Sequence, residues 1–205
     1  KLMSQPRLEN INIESVVSLA TPREMKAALP LSAQVIRTVL QCRETIEQLL
    51  DRDDPRLFAV VGPCSIHHLD AAAEYARKLK TLADEISDSI YVIMRVYFEK
   101  PRSSIGWKGL INDPYMNDTF QIEEGIRMAR HFLIRTAEMG LPAATELLDV
   151  LMPQYIGDLI SLNFIGARTA EAQTHREIAS GISTPVGFKN GTDGSLDAAI
   201  NSVRA

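Results

Sequence analysis

Between Arg95 and Lys108 the sequence sets four cations, Arg95, Lys100, Arg102 and Lys108, against a single acid, Glu99. In a 205-residue chain with 22 Lys and Arg, 26 Asp and Glu and a net charge of −4, this is a local reversal of sign. Arginine offers a planar fork for bidentate contact with phosphate or carboxylate, and lysine a compact charge. Ser103 and Ser104 add hydroxyls, and Gly106 allows close backbone approach. The cluster suits a strongly anionic, phosphorylated small molecule. A solvated basic loop with scattered ion pairs is the plainer alternative, and Arg168 and Lys189 decide against it if the fold brings them to the same place.

Cys64, in Gly62-Pro63-Cys64-Ser65-Ile66-His67-His68, can be read as a metal ligand, a nucleophile or a small buried hydrophobe. The paired Cys or His spacing of a zinc site is absent. Cys42 falls on an apolar helix face and reads as core, while His131 and His175 lie in helical patterns and suit surface or capping roles. Glu146 sits in an apolar run, where an unpaired carboxylate is costly. It therefore needs a cationic partner, either in a structural salt bridge or in a role orienting substrate. The acidic balance, and a basic loop over 99–108 with Trp107 as its single aromatic residue, argue against a nucleic-acid partner. Two cysteines make no disulfide framework, no apolar run approaches the roughly 18 residues of a membrane helix, and no signal-peptide pattern is present. The expectation is a soluble cytoplasmic protein.

These side chains need elements to position them. Thr21, as N-cap, and Pro22 to Ala28 predict a short helix inside an otherwise polar arm of about 30 residues. From about Ser32 to Leu50, Val35, Val39, Cys42, Ile46 and Leu49 recur at helical spacing. Beyond Pro55 the pattern changes. Short apolar runs at 57–62, 91–97, 142–148, 164–168 and 185–189 alternate with amphipathic stretches at about 70–86, 121–139, 153–162 and 171–181. Asp70 and Thr169 stand at N-cap positions. Such alternation predicts a parallel sheet covered on both faces. A βα barrel gathers its chemistry at the C-terminal ends of all strands, whereas an open doubly wound sheet uses one crevice. Cys64, Arg95 with Lys100, Glu146, Arg168 and Lys189 end or follow the five runs in turn, which favours the barrel. The predicted class is therefore α/β, a (β/α)8 TIM barrel, with an N-terminal extension over 1–50 and about the first five βα units over 51–205. A complete barrel takes roughly 250 residues. The connection 98–119 is unusually long, and such loops are usually functional.

VVGPCSIH (60–67), MRVYFEKPR (94–102), GWKGLINDP (106–114), IGART (165–169), THREIASG (174–181) and PVGFKNGTDGS (185–195) resemble the type I 3-deoxy-D-arabino-heptulosonate 7-phosphate (DAHP) synthases. The resemblance runs from about residue 50 onward and, more loosely, into the arm. It implies a transferase at the first step of the shikimate pathway to aromatic amino acids. That enzyme condenses phosphoenolpyruvate with D-erythrose 4-phosphate and water to DAHP and phosphate, using a divalent metal such as Mn, Fe or Co. It implies Cys64 as a metal ligand and Arg95, Lys100, Ala167, Arg168 and Lys189 at the phosphoenolpyruvate site, with Glu146 beside them. Arg102 and Ser103 match the erythrose 4-phosphate site, and Lys100 would hold or protonate the developing alkoxide. KPRSS replaces the KPR-T-T of most members but keeps a hydroxyl; His68 stands where Asp is common, and GARTAEAQ replaces GARTTESQ.

The resemblance further implies feedback inhibition by an aromatic amino acid, at a site lined by Pro153, Gln154 and Ser183. The arm would pack on a neighbouring subunit of a homodimer or homotetramer, and TPREMKAALPLS looks most like tyrosine-sensitive members. KPRSS and the long loop argue against the sister condensation with arabinose 5-phosphate. Three further metal ligands and another phosphate-binding Arg are implied beyond the fifth strand. These 205 residues alone are thus expected to be catalytically incomplete, an assembly or effector-binding part being the alternative reading.

Overall fold

The computed structural model describes residues 8–204. Helix α1 (Pro22–Ala28) opens with a reciprocal cap. The Thr21 hydroxyl accepts the Glu24 N–H at 3.3 Å, and the Glu24 carboxylate accepts the Thr21 N–H at 2.8 Å. Helix α2 (Ala33–Asp51) starts at Ser32 and buries Val35, Val39, Cys42, Ile46 and Leu49. Full burial of one such aliphatic side chain is worth about 1.5–3 kcal/mol, so this face holds the helix to the sheet. Then come β1 (Leu57–Val61), α3 (Leu69–Glu85), β2 (Ile90–Arg95), α4 (Ile122–Glu138), β3 (Ala143–Leu147), α5 (Met152–Ile156), β4 (Leu162–Ile165), α6 (Gln173–Gly181), β5 (Val186–Phe188) and α7 (Asp197–Arg204).

The five strands form one parallel sheet in sequence order, β1-β2-β3-β4-β5. A doubly wound sheet reverses its order at a switch point; unbroken order is that of a curled barrel wall. Val61 pairs with Met94, Arg95 with Ala144, Leu147 with Ile165, and Ile165 with Phe188. The C-terminal ends therefore emerge along one rim, with the following loops above them.

Three expectations need correction, and one helix is additional to them. Asp70 is not the cap of α3: His68 takes the extended cap conformation and its Nδ1 accepts the Ala71 N–H at 3.3 Å, leaving Asp70 in the first turn. Thr169 does not cap α6, because its hydroxyl is spent on the Gly166 carbonyl at 3.2 Å, and the helix begins only at Gln173. The stretch expected as a helix over 153–162 ends early. After α5, Gly157–Leu159 tighten into a 3-10 turn, because Leu162 and Asn163 are already pairing with β3 and β5. Lastly, α7 was not anticipated; Ser202 anchors it by donating to the Ala170 carbonyl at 2.6 Å.

The end of the arm is clamped onto this chain's own helices. Met25 is buried, and Tyr155 donates its hydroxyl to the Ala20 carbonyl at 2.9 Å. Arg130 of α4, fully buried, pairs with Asp158 at 2.7 Å and donates to the carbonyls of Tyr155 and, at 3.4 Å, Leu29. Removing one partner of such a pair typically costs about 3–5 kcal/mol, since the other charge stays behind uncompensated.

Candidate active site

Arg95 ends β2, and Tyr97 lies two residues further, on the same face of the extended chain. The Arg95 guanidinium lies 4.8 Å from the Tyr97 ring centroid, and its Nε donates to the Pro63 carbonyl at 3.1 Å. Lys189, directly after β5, places its ammonium 4.8 Å from the same ring. A cation over an aromatic face is attracted by the ring quadrupole, so Tyr97 seats both cations at one place. Lys189 Nζ also donates to Glu146 Oε2 at 2.5 Å. Burial pulls the Lys189 ammonium down, but the hydrogen bond and charge of Glu146, helped by Tyr97, outweigh it and the net direction is upward. The ion pair that Glu146 needed is therefore formed. Gly166 makes room for it, since a Cβ there would lie 2.3 Å from Glu146 Oε1.

Cys64 follows β1 and is exposed, which removes the buried-hydrophobe reading; that reading fits Cys42, whose thiol is raised by burial. Lys100 Nζ lies 3.1 Å from Cys64 Sγ and 3.0 Å from its carbonyl. The hydrogen bond and charge of Lys100, with a smaller part from Arg95, hold the thiol below its ordinary range. The thiolate is the form that binds metal and attacks electrophiles. His67 packs edge-on against Trp107 at 6.2 Å and His68 caps α3. Among the described residues no group of three or more His, Cys, Asp and Glu is placed to hold a metal ion, so Cys64 offers one ligand and not a complete site.

A cavity of about 450 Å³ opens beside Lys100, walled by Arg102, Lys108, Arg168, Glu99 and Asp149 among others. Four cations face two acids there. Arg168 Nε donates to Ser103 Oγ at 3.0 Å, tying the turn after β4 to the long loop, and half-buried Ala167 sits in that turn. Arg102 Nε is engaged by the Trp107 carbonyl at 2.8 Å. The loop between β2 and α4 has no regular element, yet it is well packed: Leu110 and Ile111 are buried and the Trp107 indole donates to the Asp113 carbonyl at 2.7 Å. Gly109 is required, with φ at +112° and no space for a Cβ, which would come within 2.2 Å of the Phe98 carbonyl.

Pro153, Gln154 and Ser183 do not join this rim. They line a cavity of about 350 Å³ beside α5, together with Arg43, Asp158, Glu99 and the Lys189 partner Glu146. His131 is exposed on α4, and His175 is part-buried with Nε2 2.9 Å from the Leu148 carbonyl; neither reaches the rim groups.

Three residues of the site escaped sequence reasoning. Tyr97 was detectable from its two-residue spacing from Arg95. Glu99 and Asp149 carried no such signal, because their importance comes from burial and proximity. Glu99 is 8% exposed. Burial first, then the carboxylates of Asp149 and Glu146, raise its pKa to about 7, against the partial relief of an Asp149 N–H at 3.5 Å. An acid whose folded value lies above its unfolded one costs nothing below pH 4.5, where both states are protonated. The cost grows as pH rises toward 7 and is constant above it. Glu99→Gln should therefore gain stability relative to the parent across that window, by about 3 kcal/mol at about 1.4 kcal/mol per unit. Denaturant unfolding on either side of the window measures this, and a difference independent of pH contradicts the assignment.

With this geometry in hand, comparison with known proteins is informative. The chain is 56% identical over 203 residues to the Tyr-sensitive phospho-2-dehydro-3-deoxyheptonate aldolase of Escherichia coli (strain K12), covering 99% of this chain and 57% of that one. It is 49% identical over 197 residues to the Phe-sensitive protein of the same strain, covering 96% of this chain and 56% of that one. Against the Trp-sensitive protein of Salmonella typhi the identity is 47% over 199 residues, covering 97% and 57%. The chain thus spans little more than half the length of these curated relatives. The solved phospho-2-dehydro-3-deoxyheptonate aldolase of Francisella tularensis SCHU S4 superposes with a TM-score of 0.92 at 47% identity, over 94% of this chain and 57% of that one. The family model of the DAHP synthetase I family matches residues 34–205. Strand order and sequence agree, and the chain belongs to the DAHP synthetase I family.

Proposed function

We propose that this protein acts as a DAHP synthase, joining phosphoenolpyruvate to D-erythrose 4-phosphate with water and releasing phosphate. The observation that carries this reading is the rim itself. Arg95, Lys100, Arg168 and Lys189, delivered by three different strand ends, converge around Tyr97 and the 450 Å³ cavity, with Arg102 and Lys108 at its edge. The two substrates bring two phosphates and a carboxylate, and this density of cations matches them. Arg95, Arg168, Lys189 and the Ala167 turn take phosphoenolpyruvate, while Arg102 and Ser103 take the phosphate of the aldose. Glu146 keeps the Lys189 ammonium charged and aimed. The vinyl carbon of phosphoenolpyruvate bonds to the aldehyde carbon, water adds at the phosphate-bearing carbon, and phosphate leaves. Lys100 holds or supplies the proton at the aldehyde oxygen as it becomes an alkoxide. A divalent cation, for which Cys64 is one ligand, supplies Lewis-acid polarisation of the aldehyde when bound.

The α5 cavity, with Pro153, Gln154 and Ser183, is the effector site in this reading, and tyrosine its ligand. A cytoplasmic homodimer or homotetramer, assembled partly through the exposed apolar side chains of Leu8, Val16 and Val17 in the arm, completes the proposal. Among the described residues no helix is long and apolar enough to cross a membrane.

The test is a split between substrates. Arg168→Ala or Lys189→Ala in the full-length protein should raise KM for phosphoenolpyruvate about ten- to a hundredfold, the loss of one charge-assisted contact of about 1.5–3 kcal/mol. KM for erythrose 4-phosphate should move far less. Equal effects on both substrates would contradict the division of the rim.

A further inference from the structure

Arg95 ends β2 and Lys189 follows β5, with β3 and β4 lying between those strands, yet both charges stand 4.8 Å from the centroid of the Tyr97 ring. Two like charges aimed at one anion repel each other before it binds. Lys189 has a carboxylate to offset this, Glu146. Among the described residues no carboxylate pairs with Arg95. Its Nε donates to the Pro63 carbonyl, and its guanidinium leans on Tyr97. A carboxylate there would neutralise the guanidinium and occupy its fork. An aromatic face attracts the cation through its quadrupole and leaves the charge for a ligand. The ring is well placed for this task, because Tyr97 is buried and its backbone is held firmly. The Tyr97 carbonyl accepts the Ile66 N–H at 2.9 Å. The preceding Val96 donates its N–H to the Ala144 carbonyl at 2.8 Å, and its carbonyl accepts the Thr145 hydroxyl at 2.8 Å. On the other side Phe98, also buried, packs edge-on against Phe132 at 6.2 Å.

We propose that Tyr97 is a positioning residue of the phosphoenolpyruvate site, its ring holding Arg95 and Lys189 at one place with their charges available to the anion. The proposal rests on the assignment of these two cations to phosphoenolpyruvate. Tyr97 acts through them and not on the reacting atoms. Gathering two cations costs free energy, and a ring fixed by the fold meets that cost before the substrate arrives, which is preorganisation in its ordinary sense. The ring is the operative part. Burial and then Glu146 have the larger influence on the Lys189 ammonium, and the phenol adds less.

Calorimetric titration of the full-length protein with phosphoenolpyruvate, and with inorganic phosphate as a second probe, tests this. Tyr97→Leu should weaken binding of both about tenfold, and Tyr97→Phe, which keeps the ring, by no more than about twofold. In an Arg95→Ala or a Lys189→Met background the cost of Tyr97→Leu should shrink to about threefold, because one of the two cations it positions is gone. A phenylalanine trifluorinated on the ring, placed at position 97, keeps the shape but withdraws the electrons of the face. It should bind phosphoenolpyruvate about three- to tenfold more weakly than Tyr97→Phe, and it decides alone if Tyr97→Leu does not fold. Parent-like binding in the leucine and fluorinated variants overturns the proposal. So does a phenylalanine variant as weak as the leucine one, or a tenfold cost that persists in the Arg95→Ala and Lys189→Met proteins. A parent that binds inorganic phosphate but not phosphoenolpyruvate overturns the synthase reading instead, and the phosphate titrations then decide the role of Tyr97. If the parent binds neither, both fall.

Discussion

Lys100→Met should lower turnover by about 10²- to 10⁴-fold, the range ordinarily lost with a positioned proton donor, with a rise in KM for phosphoenolpyruvate, whose site Lys100 shares, and a much smaller change for erythrose 4-phosphate. Its ammonium is 3.1 Å from Cys64 Sγ and at the edge of the 450 Å³ cavity, where an aldehyde oxygen becoming an alkoxide needs a proton or a charge. Methionine fills most of the same volume, so the loop should keep its packing. A second readout separates chemistry from structure. Lys100 is the main reason the Cys64 thiol sits below its ordinary range, so its loss should raise that thiol and slow alkylation of Cys64 at neutral pH in metal-free protein. Normal turnover, or alkylation at the parent rate, would mean that Lys100 has another role.

Cys64→Ser should abolish metal-dependent activity and markedly weaken binding of the divalent cation, with the fold unchanged. A serine hydroxyl is far harder to deprotonate than a thiol beside an ammonium, so it is a poor replacement ligand. Cys64 is exposed and packs against no core cluster, which is why stability should be retained. Cys42→Ser is the control. Its thiol is buried on the inner face of α2, so it should cost some stability and leave metal binding untouched. A Cys64→Ser protein that stays active and still requires metal would put the ligand elsewhere.

The residues that were legible in the sequence are those whose evidence is local. Thr21 with Glu24 is a capping box written in four positions, and the apolar face of α2 repeats at helical spacing; both are where the pattern put them. The rim cations were legible because each ends or follows an apolar run, and a parallel sheet delivers strand ends to one side. What stayed hidden depends on competition between distant parts. Thr169 is an ordinary capping residue, but the turn after β4 captures its hydroxyl. The helix expected over 153–162 loses its second half to the pairing of β4. Tyr97 looks like one more strand aromatic until Arg95 and Lys189 arrive from two strands to share its ring. Glu99 reads as a counter-charge in a basic loop; only burial between two cavities, against Asp149, gives it a distinct titration.

The most direct measurement of the central claim is the reaction. Full-length protein is incubated with phosphoenolpyruvate, D-erythrose 4-phosphate and Mn²⁺, and the products are followed by mass spectrometry together with phosphate release. The account predicts a seven-carbon keto-acid phosphate formed in equal amount to inorganic phosphate, with both substrates required. It also predicts that the yield collapses in Arg168→Ala and Lys189→Ala at phosphoenolpyruvate concentrations that saturate the parent only modestly. Phosphate released at the same rate without the aldose, or no seven-carbon product under any metal supplied, would contradict it.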